Sequence, residues 1–71
     1  MGAVRQSFDV GQLVVITNVG VKLRNADNKL FGPCISGNVA LVIAPGDTSE
    51  YVTLFVNGFV GQLETDFIRS L

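Results

Sequence analysis

No histidine and no tryptophan occur in this chain, and cysteine, methionine and tyrosine appear once each. A single cysteine, Cys34, excludes an internal disulfide. Without histidine the commonest metal ligand is missing, and one thiol with scattered carboxylates makes a poor zinc site. Nor does Cys34 have an imidazole to generate its thiolate for nucleophilic work, so it reads as a buried or half-buried structural residue. Charge is also scarce, at 15% of residues against a usual ~25%. The net charge of −1 and a pI of about 4.9 argue against a general nucleic-acid-binding surface, which would carry excess Lys and Arg. No apolar run approaches the ~18 residues of a membrane span. Residues 1–10 lack the apolar segment of a signal peptide. Met1-Gly2 opens like a myristoylation signal, but that pattern needs Ser or Thr where Gln6 stands. A cytoplasmic location is the expectation, in keeping with a lone thiol.

What is present is apolar. Hydrophobic residues make up 48% of only 71. A chain this short is one domain, buries only ~60% of the surface its unfolded form exposes, and has a net stability on the order of 4–11 kcal/mol. Small domains need a staple. With disulfide and metal excluded, the staple left is a partner chain, and homo-oligomerisation follows as an expectation.

The stretch from Ser36 to Leu63 organises the chain. At its centre, Val56-Asn57-Gly58-Phe59 sets Asn-Gly between two apolar runs. A two-residue type I′ turn needs positive φ at both central positions, which Asn and Gly tolerate best. Residues 51–56 and 59–63 are therefore antiparallel partners. Val56 faces Phe59, Leu54 faces Gly61 and Val52 faces Leu63. Val52, Leu54, Val56, Phe59 and Leu63 form a face fit for a core. Tyr51, Thr53, Phe55, Val60 and Gln62 form the other. Tyr51, Phe55 and Val60 make that second face too apolar for a solvated one, which marks either an interface patch or a bend at Gly61 that covers them.

Elsewhere the chain reads in order. Residues 1–7 are a polar lead-in to the domain at 8–71, and Phe8 is the first anchor. Residues 12–17 (QLVVIT) are β-branched and continuous, a strand covered on both faces. Residues 18–33 make a long excursion. Val19, Val21 and Leu23 alternate there with Gly20, Lys22 and Arg24, so one edge is apolar and one basic, and Asn25-Ala26-Asp27-Asn28 supplies turn chemistry for an irregular hairpin with a floppy tip. Residues 37–44 form a strand with Val39, Leu41 and Ile43 on one face and the smaller Ala40, Val42 and Ala44 on the other. Pro45-Gly46-Asp47 breaks it. Thr65-Asp66-Phe67 suits one turn of 3₁₀ helix, and residues 69–71 a short last strand. Phe67, Ile68 and Leu71 are spaced to plug the end of a barrel.

Five short strands, a long first excursion and a one-turn helix before the last strand make the SH3-like pattern. The segments VGQLVVI (10–16), GNVALV (37–42), VTLFVNG (52–58) and LETDFI (63–68) carry it. Together they resemble the small SH3-like proteins of unknown function common in phage and environmental sequences. That resemblance implies an all-β fold, a small five-stranded SH3-like barrel. A second resemblance is to the KOW modules of ribosomal proteins and transcription-elongation factors, through Gly11 to Ile16 and Gly37-Asn38-Val39. The chain departs from those modules where their basic, glycine-rich stretch is replaced by an excursion holding only Lys22, Arg24 and Lys29.

No catalytic set emerges. Residues 32–37 (GPCISG) have the spacing of a phosphate loop but continue with Asn38-Val39 in place of Lys-Ser/Thr. The six carboxylates sit mostly at turns and strand ends. The expectation is a non-enzymatic interaction or assembly module without cofactor or metal. It acts as a homo-oligomer or docked on a protein partner, through the face around Tyr51, Phe55 and Val60 or through the excursion. The alternative is a KOW-like nucleic-acid-binding module using Lys22, Arg24 and Lys29.

Overall fold

The computed structural model of the protein describes residues 8–71; the lead-in expected over residues 1–7, with its Met1-Gly2 pattern, lies outside them. The chain is all-β. Its strands are β1 (Leu13–Ile16), β2 (Leu23–Arg24), β3 (Leu30–Phe31), β4 (Val39–Pro45), β5 (Tyr51–Val56), β6 (Phe59–Glu64) and β7 (Ile68–Ser70), with a 3₁₀ turn at Thr65–Phe67 leading into β7. They form one antiparallel sheet in the order β3-β2-β6-β5-β4-β1-β7. Seven strands replace the expected five because the excursion supplies two of its own. Arg24 pairs with Gln62, so the β2–β3 hairpin extends the sheet beyond β6. β3 and β7 end the order and the sheet is not closed.

The central hairpin follows its sequence signal residue by residue. Asn57 and Gly58 have φ of 53° and 81°, the positive pair that a type I′ turn requires. Val56 faces Phe59, Leu54 faces Gly61 and Val52 faces Leu63. The excursion is also ordered. Ile35 donates its backbone N–H to the Val21 carbonyl (2.9 Å), and Val21 donates to Ser36 Oγ (3.0 Å). At the tip, Asn25 Oδ1 accepts from the N–H of Asp27 and of Lys29, an Asx turn.

A single-layer sheet buries a core only by curling around its own inner face. Here that face gathers Val14, Ile16, Val21, Leu23, Ile35, Ala40, Val42, Val52, Leu54, Val56, Leu63 and Ile68 into one cluster, so β2 and β7 contribute to the same core from opposite parts of the strand order. Every member is aliphatic. Phe8, Phe31 and Phe67 pack only at its margin.

Four expectations change. In β4 the smaller side chains, Ala40 and Val42, face the core, while Val39 is exposed. A register shift between Val42 and Ala44 then leaves Ile43 as the extra residue and sets Ala44 opposite Thr53, so the strand's alternation breaks there. Val19 does not join the apolar edge: it is 95% exposed, within the turn that brings Val21 and Leu23 inward. Phe59 lies at the hairpin end beyond the aliphatic core, partly exposed, edge-on to Phe31 at a centroid distance of 6.3 Å. Leu71 is exposed and plugs nothing, whereas Ile68 is buried.

Gly61 is where β2 crosses close to β6. A Cβ there would sit 2.9 Å from the Arg24 carbonyl oxygen, Leu23 Cβ and Phe31 Cε1. The backbone does not adopt the left-handed conformation at this glycine, so the requirement is steric. Gly61→Ala is expected to cost about 1–3 kcal/mol by overpacking, read as a lower urea midpoint at unchanged slope.

Candidate functional site

The inward turn of the aliphatic residues leaves an apolar row on the outer face. Leu13 faces Leu41, Leu41 faces Phe55 and Phe55 faces Val60, so one line of four side chains crosses β1, β4, β5 and β6. One step along, Val15 faces Val39. Leu13 and Val39 are each 48% exposed, Phe55 45% and Val60 53%, with Val15 and Leu41 half-buried between them. Such a contiguous row differs from the singly scattered apolar residues normal on a surface. Phe55 and Val60 were legible as members from the hairpin alone. Leu13, Val39 and Leu41 were not, because in a strand apolar on both faces nothing in the sequence says which face turns inward.

Tyr51 does not join this row. It stands four residues from Phe55, about 13 Å away at ~3.3 Å per residue along the strand. Instead it lines a pocket of about 210 Å³ with Gln62 of the neighbouring strand β6. Arg24, Asn25 and Asn28 of the β2–β3 hairpin close one side of this pocket, and Asp47 and Thr48 of the β4–β5 loop the other. The loop is held in place by backbone contacts. Gly46 donates to the Tyr51 carbonyl (3.2 Å), Tyr51 donates to the Thr48 carbonyl (3.2 Å), and the Asp47 N–H donates to Gln62 Oε1 (3.0 Å). Three separate chain segments, 24–28, 47–51 and Gln62, meet here, a grouping no local motif announces.

The three cations of the excursion are separated. Arg24 turns into the pocket, where its guanidinium donates to the Asn28 carbonyl at 3.2 Å. Lys22 and Lys29 are exposed and outside the pocket lining.

Cys34 is exposed, which corrects its reading as a buried or half-buried structural residue. Ile35 takes the inward place next to it. Its sulfur lies 3.4 Å from Ser36 Oγ, and hydrogen bonding to the thiolate by the Ser36 side chain, followed by the Ser36 backbone, holds the thiol below its ordinary pKa. A lowered pKa means more thiolate at a given pH. The alkylation rate of Cys34 by iodoacetamide should therefore reach its half-maximum at a lower pH than that of an unstructured cysteine peptide, and Ser36→Ala should move that midpoint up.

Among the described residues, no three of His, Cys, Asp and Glu are grouped to hold a metal ion, and no helix is long and apolar enough to cross a membrane. No family model, no curated protein and no solved structure matches the chain.

Proposed function

We propose that this chain is a non-enzymatic assembly module of SH3-like barrel type that associates with copies of itself through the outer face of β1, β4, β5 and β6. The exposed row Leu13–Leu41–Phe55–Val60 carries the reading. The β5–β6 hairpin and the 3₁₀ turn before the last strand support the SH3-like assignment, with β2 and β3 as an ordered excursion at one end of the sheet. A symmetric dimer places the same patch on both sides of the interface, so an apolar row needs no second surface to match it. A stable interface takes ~800 Å² from each partner. Against a total accessible surface of 4467 Å² that is a large share, so the interface would extend past the apolar row onto its polar surroundings.

Sedimentation velocity at micromolar concentration tests the proposal. An assembly larger than one chain is expected, and a monomer at all concentrations up to the millimolar range would refute it. The nucleic-acid alternative draws no support from the site, since Arg24 shares its pocket with a carboxylate and the two lysines stand outside it.

A further inference from the structure

The pocket between the β2–β3 hairpin and the β4–β5 loop is independent of the outer apolar row and shares no residue with it. Its polar groups are not balanced. Gln62 Oε1 is taken by the Asp47 N–H, and Asn25 Oδ1 by the N–H of Asp27 and of Lys29. Asn28 Oδ1 faces the Arg24 guanidinium at 3.4 Å. With their carbonyl oxygens engaged, all three amides have their NH₂ ends left to donate. The guanidinium, with five donors, adds more than Asn28 uses. The lining is thus rich in donors and bears a positive charge at Arg24, as a carboxylate requires.

The lining also holds one acidic residue, Asp47. Arg24 and Asp47 share a space of about 210 Å³ yet form no ion pair with each other. Opposite charges held apart in a small cleft suit a molecule carrying both signs. The volume lies below the ~300–1,000 Å³ of pockets for drug-sized ligands. We propose that this pocket binds a small zwitterion of the free α-amino-acid class. The ligand carboxylate is held by Arg24 and the amide NH₂ groups, its ammonium by Asp47, and its carbon skeleton lies against Tyr51.

Amide-resolved NMR titration of the full chain with a panel of free α-amino acids tests this, with acetate and methylammonium as the two half-ligands. At least one amino acid should saturate, with shifts centred on Arg24, Asn28, Asp47 and Gln62, and should bind at least about tenfold more tightly than either half alone. Arg24→Gln and Asp47→Asn should each weaken it about tenfold or more. Arg24→Gln also removes a contact within the hairpin. Asp47→Asn changes a side chain that makes no hydrogen bond among the described residues, so it separates lost binding from lost folding. Acetate binding as tightly as the best amino acid, binding unaltered by Asp47→Asn, or no saturable shift up to concentrations on the order of 10 mM would each overturn the assignment.

Discussion

Phe55→Glu is expected to convert the proposed assembly to a monomer without unfolding the chain. Phe55 sits in the middle of the outer row, between Leu41 and Val60. Aromatic residues at the centre of a desolvated patch carry binding energy out of proportion to their number, and losing one typically costs about 2 kcal/mol or more. A glutamate adds to that loss, because association would bury its charge without a partner. In a symmetric dimer the change enters twice, so the dissociation constant should rise by well over about 100-fold. The inner face is untouched, since Phe55 points away from the core and its strand neighbours Leu54 and Val56 keep their places. Far-UV circular dichroism should therefore stay as it was while the sedimentation coefficient falls. Val19→Glu serves as the control: Val19 is more exposed still but lies off the sheet face, so its replacement should leave the assembly intact. An unchanged assembly in Phe55→Glu would remove this face from consideration, and equal dissociation by Val19→Glu would deny it any special role.

Leu54→Ala should remove roughly half of the stability of the fold. Leu54 is fully buried at the centre of β5, facing Val42 on one side and Gly61 on the other. Truncating a buried leucine to alanine costs about 2–5 kcal/mol, toward the upper end where the surroundings cannot close the void. Gly61 has no side chain to move into the space, and its backbone is already held between β2 and Phe31. Against a total on the order of 4–11 kcal/mol, such a loss leaves little in reserve. The unfolding free energy, read from the urea midpoint at unchanged slope, should fall by roughly half, whereas Val19→Ala should change it by less than about 0.5 kcal/mol. Association stabilises the folded state by mass action, so the comparison belongs in the Phe55→Glu background. A loss below about 1 kcal/mol would mean that the sheet relaxes around the cavity, and that the core is looser than its burial indicates.

How much of this was legible in the sequence depends on how local each signal was. The β5–β6 register was readable because Asn57-Gly58 fixes the pairing and the alternation then assigns every side chain. The 3₁₀ turn and the hairpin of the excursion were readable for the same reason, through Thr65-Asp66 and the Asx-rich tip. β4 was not. Both of its faces are apolar, so hydrophobicity alone could not choose between them, and the extra residue at Ile43 breaks the alternation on which any choice would rest. Cys34 was misjudged from a general preference of cysteine for interiors, where the neighbouring Ile35 competes for the single inward position. The pocket could not be read at all. Tyr51 looked like a partner of Phe55 because they share a face by parity, while Arg24 and Asp47 come near it only once β2 has added itself to β6.

The position of β1 has a bearing on how the molecule is made. It lies between β4 and β7, with Val14 opposite both Ala40 and Ser70. During vectorial synthesis residues 13–16 emerge before either neighbour, and β7, over fifty residues further along the chain, follows well after β4. Until then β1 presents a sticky, half-paired ribbon to whatever surrounds it.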